Sequence, residues 1–182
     1  MVPEWEGKLR EITDFASGWI VQDNNLLQAS SSHIGRVFEM LHLQKRAITF
    51  GGGLDARLLS DGIADGIRGL RIEQLFLASD TVGAIRPLAR AIKRLHMPLR
   101  KVRVYTLLAY NGETIDQATE RLETILALGA LPFAQLYQPP DKWIDYPREW
   151  RLLARTWSRP AAMLARAIDK QQQLSIGIVE EC

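Results

Sequence analysis

Five short apolar, β-favouring runs recur along this chain, centred near Ile20, Ile48, Phe76, Val104 and Phe133, about 28 residues apart, which suits successive βα units. A polar cluster and then a helical pattern of apolar residues follow most of them. The repeat predicts one α/β domain built on an open parallel sheet of about five βα units, curved and wound by right-handed crossovers. At 182 residues, 47% of them hydrophobic, the chain can bury a sizeable core.

In chain order, residues 1–14 show no clean period and read as an irregular arm. Gly18–Gln22 is the first short strand, closed by Asp23, Asn24 and Asn25. Ser30, Ser31 or Ser32 can cap a helix whose stripe is Ile34, Val37, Phe38 and Leu41. His33 and His42 lie on or beside it, off the same-face spacing of a metal pair, and read as ordinary or satisfied histidines. Ala47–Leu59, AITFGGGLDARLL, puts three consecutive glycines after an apolar run, so the strand should stop where the backbone bends or admits a close neighbour. The next helix, through Ile63, Ile67 and Leu70, is weakened by Gly62, Gly66 and Gly69.

Strands then follow at Glu73–Ala78, Val102–Leu108 and Leu131–Leu136. Between them lie a helix through Ile85, Leu88, Ala89, Ile92 and Leu95 and a stronger one from Ile115 to Leu126, stopped by Gly129. An aromatic-rich region from Trp143 to Trp157 closes the domain, and 164–182 reads as a helical tail.

The formal charge is only +2, and the basic groups Lys45/Arg46, Lys93/Arg94 and Arg100/Lys101/Arg103 read as solvated helix ends and loop edges, so nucleic acid is not indicated. No apolar run reaches the ~20 residues of a membrane span, and the charged N-terminus does not suit a signal peptide. A soluble, cytoplasmic protein is expected. The lone cysteine, Cys182, can build neither an internal disulfide nor a thiolate cage.

In parallel α/β architectures ligands bind outside the carboxyl ends of the strands. Those ends carry Asp23 and Asn24; Gly51, Gly52, Gly53 and Asp55; Ser79 and Asp80; and Asn111 with Gly112 and Glu113. A single carboxylate there can simply offset a helix dipole, whereas four loops converging with Asn and Gly alongside point to a binding rim. The glycines are no phosphate-binding P-loop, because no Lys-Ser/Thr pair follows them, and they match the dinucleotide pattern only loosely.

WIVQDNNLL (Trp19–Leu27), TFGGGLDARLL (Thr49–Leu59), LFLASDTVGA (Leu75–Ala84), YTLLAYNGET (Tyr105–Thr114) and FAQLYQPPDKWIDYPREW (Phe133–Trp150) together resemble consecutive segments of a radical S-adenosylmethionine protein. The resemblance spans 1–163. It implies a partial TIM-type barrel, here missing its first strand, with S-adenosylmethionine as small-molecule cosubstrate. It also implies a [4Fe-4S] cluster held by a C-x-x-x-C-x-x-C loop that this chain lacks. Val2, Pro3, Glu6, Gly7 and Lys8 resemble sequence just downstream of that loop, so a truncated, inactive product is expected. The alternatives are a cluster-independent cosubstrate- or nucleotide-binding module, or a subunit completed by a cysteine-bearing partner. By position, the resemblance puts Asp23 and Asn24 near the methionine end of the cosubstrate. Gly51–Asp55, Asp80 and Asn111 follow along the rim. An unpaired first-strand edge would favour self-association.

Overall fold

The run VRVYTLL alternates two kinds of side chain, and the fold sorts them onto opposite faces of a sheet. In the computed structural model, which describes residues 10–23 and 25–165, the elements follow the expected alternation. They are β1 (Ile20–Val21), α1 (Ser31–His42), β2 (Ile48–Asp55), α2 (Asp61–Arg68), β3 (Ile72–Ala78), α3 (Ile85–Leu95), β4 (Val102–Leu108), α4 (Ile115–Ala127), β5 (Leu131–Leu136) and α5 (Arg148–Thr156). Residues 160–165 are helical again. The arm's first residues and most of the 164–182 tail, Cys182 included, lie outside the described residues.

All five strands are parallel, in the order β1-β2-β3-β4-β5. The order never reverses, so the sheet has no switch point of the kind a dinucleotide fold uses. Ile48, Phe50, Leu75, Leu77, Val102 and Val104 share one core with the buried stripes of α1, α2 and α3. On β4 and β5, Leu108 and Ala134 pack with Ala118 and Leu122 of α4 and with Trp157. The opposite face carries Phe76, Arg103, Tyr105 and Phe133, whose rings meet edge-on or stacked.

The helices start where the sequence allows a cap. Ser30 Oγ accepts from His33 N–H, Ser60 Oγ from Ile63 N–H, and Thr114 forms a reciprocal capping box with Gln117. Pro87 falls in the first turn of α3, where its missing N–H costs nothing. Gly66 of α2 has a packing role: a Cβ there would meet the Phe38 ring at 2.5 Å. His33 is buried, with Arg36 Nη2 at 3.3 Å and the Phe15 ring edge-on, a satisfied histidine.

At the glycines the structure departs from the expected strand end. β2 runs through them to Asp55, bulging so that Phe50 pairs with Leu75 while Leu54 pairs with Leu77. What approaches closely is the chain itself, since a Cβ on Gly52 would sit 1.6 Å from the Asp23 carbonyl oxygen. Gly53 has φ +81°, and a Cβ there would touch the Tyr105 ring at 3.2 Å.

The first strand shrinks to two residues, with Ile20 exposed at the sheet margin. β5, at the other margin, carries Pro132, which an edge strand tolerates. There the Ala134 N–H donates to the Trp157 carbonyl and the Ala134 carbonyl accepts from Ser158 Oγ, so the edge is partly closed. Among the described residues no helix is long and apolar enough to cross a membrane.

Gly52→Ala should cost more than about 2 kcal/mol in urea unfolding, because the obstructing atom is backbone and the bulge must open. Gly35→Ala, in the middle of α1 with open space around it, should instead stabilise by about 0.5–1 kcal/mol.

Candidate functional site

A polar cleft opens where β2 and β3 end. It encloses about 480 Å³ and is lined by Asn25, Gln28, Gly53, Asp55, Ala56, Arg57, Ala78, Asp80, Thr81, Gly83, Ala84 and Pro87. A smaller cleft of about 300 Å³ continues towards β4, lined by Asp80, Thr81, Val82, Tyr110, Asn111, Gly112, Glu113 and Gln117. Asp80 and Thr81 belong to both. Of the residues expected from the sequence, Gly53, Asp55, Asp80 and Asn111 therefore come together on one rim.

The remaining candidates sit elsewhere. Gly51 and Gly52 form the bulge below the cleft. The Gly51 carbonyl accepts from Tyr105 Oη at 2.8 Å, and Gly52 lies against Asp23. Asp23 is exposed, and its Oδ1 accepts from the Asn25 N–H, so it turns the chain that delivers Asn25. Ser79 is buried, with an Oγ that has no partner among the described residues. Asn24 lies outside the described residues.

Each rim carboxylate has a different state. Asp55 receives the forked Arg57 side chain, with Nη2 2.6 Å from Oδ2 and Nε 3.0 Å from Oδ1. That hydrogen-bonded fork, opposed by partial burial, holds its carboxyl below the ordinary aspartate value of 3.8. Its backbone N–H is held by Asn25 Oδ1. Glu113 is bound bidentately by Arg121, with both N···O distances 2.8 Å. Asp80 accepts the Leu107 N–H at 3.1 Å, and no cation among the described residues pairs with it.

Arg121 is the residue that sequence reading missed. Its side chain, 2% exposed, donates Nη1 to the Ser79 carbonyl and Nη2 to the Leu107 carbonyl as well as gripping Glu113. The ends of β3 and β4 and the start of α4 are thus tied to one guanidinium. The available signal was a cation inside the apolar stripe of α4, between Ala118 and Leu122. Next to this clamp the backbone is unusual: Ala109, Asn111 and Gly112 have φ of 56°, 58° and 78°. Left-handed geometry is easy for Gly112 and accessible to Asn111 but costly for Ala109, so strain collects in the loop that presents Asn111.

Of the basic residues expected to be solvated, Lys45, Arg46, Lys93 and Arg100 are exposed, and three differ. Arg103 is buried in β4, Lys101 Nζ reaches the Ile72 carbonyl at 2.7 Å, and Arg94 bridges Asp61 and the Leu59 carbonyl. Arg46 stacks on the Trp19 ring at 4.4 Å. Among the described residues no three His, Cys, Asp or Glu side chains gather as metal ligands.

Replacing Arg121 by Met should destabilise the protein by about 3–5 kcal/mol in denaturant titration, because it strands the Glu113 carboxylate and two carbonyls. Arg57→Gln should let the Asp55 carboxyl titrate closer to its ordinary value, read by carboxyl-carbon NMR. Because Asp55 is depressed in the folded state, its contribution is present above pH 3.8 and is lost as pH falls below. No protein-family model matches this chain, and neither a curated protein nor a solved structure matches it.

Proposed function

We propose that the chain is the cosubstrate-binding part of a radical S-adenosylmethionine-type partial barrel, and that its rim takes S-adenosylmethionine through contacts to a positively charged centre. The reading rests on the segment resemblance and on one observation above all. Asp80 lies at the junction of both clefts with a carboxylate that no described cation neutralises, while its neighbours Asp55 and Glu113 are each matched by an arginine. A sulfonium or ammonium group supplies the missing charge.

The volume of the larger cleft lies within the ~300–1,000 Å³ of small-molecule sites. Asn25, Gln28 and Thr81 offer it neutral donors and acceptors, and the exposed Arg57 fork can turn from Asp55 to a ligand carboxylate. An unreversed parallel order suits a barrel segment and disfavours NAD.

The [4Fe-4S] cluster of such proteins needs three thiolates, and this chain carries only Cys182. The donor set does not fit, so no radical step is assigned to these residues. Their work is to bind and orient.

Calorimetric titration separates the possibilities. S-adenosylmethionine should bind the full chain more tightly than S-adenosylhomocysteine, whose sulfur is neutral, and NAD should not bind. Asp80→Asn, which keeps the acceptor for Leu107 N–H, should weaken S-adenosylmethionine by about tenfold and erase its advantage over S-adenosylhomocysteine. Asn111→Ala should cost about 1 kcal/mol of binding without changing the unfolding midpoint. Equal affinities for the charged and neutral sulfur compounds would overturn the assignment of Asp80.

A further inference from the structure

Two arginines are buried among the described residues, and only one is complete. Arg121 is 3% exposed and has a carboxylate and two carbonyls. Arg103 is 7% exposed, on the face of the sheet away from the helices. Its guanidinium carbon lies 4.8 Å above the Phe133 ring and 5.6 Å from Phe76. Its hydrogen bond is a long one, Nη2 to the Ser158 carbonyl at 3.4 Å, and its Nε–H is buried with no acceptor among the described residues. No carboxylate among the described residues pairs with it.

Aromatic faces attract a cation, but they offset only part of the cost of removing it from water, and they leave the in-plane N–H donors unused. The guanidinium edge that includes Nε is a planar fork, and its complement is a group with two coplanar oxygens. Phe76 and Phe133 lie against the guanidinium and Tyr105 packs on both rings, which makes an aromatic floor for a flat apolar body. We propose that Arg103 and this aromatic floor form a second ligand site, for an oxyanion and best for a carboxylate carried on an aromatic or other flat group. The site goes beyond the rim reading and stands without it. Tyr105 joins the two, since its hydroxyl holds the Gly51 carbonyl and its ring abuts Gly53 in the rim cleft.

The test uses the full chain with benzoate, inorganic phosphate and the neutral isostere benzamide, followed by thermal unfolding and by the arginine Nε–H signal in NMR. Benzoate should bind saturably and shift the Arg103 Nε–H signal, phosphate should bind at least tenfold more weakly, and benzamide should do neither. Arg103→Met should abolish the benzoate response. It should also raise the unfolding midpoint of the ligand-free protein by about 2–4 °C, because an unpaired buried charge gives way to an apolar chain of similar shape. Arg103→Lys should keep a response at least tenfold weaker. If phosphate binds and benzoate does not, the site takes an inorganic oxyanion and the aromatic preference is wrong. The proposal is overturned if the parent's Nε–H signal ignores both anions, if benzoate acts equally on the Met variant, or if that variant folds with a lowered midpoint.

Discussion

One guanidinium organises the working end of this sheet. Arg121 reaches from α4 to the carbonyls that end β3 and β4 and to the carboxylate that begins the turn into α4. Ser79, Leu107 and Glu113 thereby become a rigid frame, and the next residues outward on that frame are Asp80 and the Asn111 loop. A buried ion pair seldom adds much net stability, because desolvation consumes most of the attraction. Its value here is geometric, since four hydrogen bonds from one planar group meet acceptors from three elements. The left-handed residues Ala109 and Asn111 persist beside it because that frame leaves the loop little choice.

The glycine bulge performs the same task for the other half of the rim. Two extra residues in β2 set Asp55 opposite Ala78 at the end of the ladder, with Arg57 just beyond, and Gly52 lets the Asp23 backbone lie against the bulge. Tyr105 fixes its height with a hydrogen bond to Gly51. β4 therefore supports both halves: Tyr105 holds the β2 bulge, and the Leu107 N–H holds Asp80 of β3.

The layout of the fold was legible because burial writes a period. Ile48 and Phe50, Leu75 and Leu77, Val102 and Val104 mark the helix-facing side of three strands, and Ile85, Leu88, Ile92 and Leu95 the stripe of α3. Ser30, one of three serines able to cap α1, announced its helix for the local reason that a cap needs only its own next turn. Non-local roles were hidden. Gly51 and Gly52 looked like a ligand approach because sequence cannot say that the neighbour is Asp23. Arg103 looked like part of a basic cluster, although its place between Val102 and Val104 already assigned it to the second face of β4. Arg121 acquires its role from partners 8, 14 and 42 residues away.

The charges that remain after pairing have a direction. At the carboxyl ends of the strands Asp55 and Glu113 are matched, and Asp80 is left as a negative centre. Near the start of β4, on the face away from the helices, Arg103 is left as a positive one with rings around it. Between them stands Tyr105, neutral and hydrogen-bonded to the backbone. Helix and strand formation require neither residual charge, and each stands beside a matched counterpart that shows how this chain completes a charge when only folding is at stake. A cation above and an oxyanion below, held apart by one tyrosine, would satisfy both centres on this scaffold. Two such ligands would lie along the same strand, close enough for β4 to sense both. Because Tyr105 bonds the Gly51 carbonyl, a ligand on the aromatic floor would act on the rim through the height of the β2 bulge.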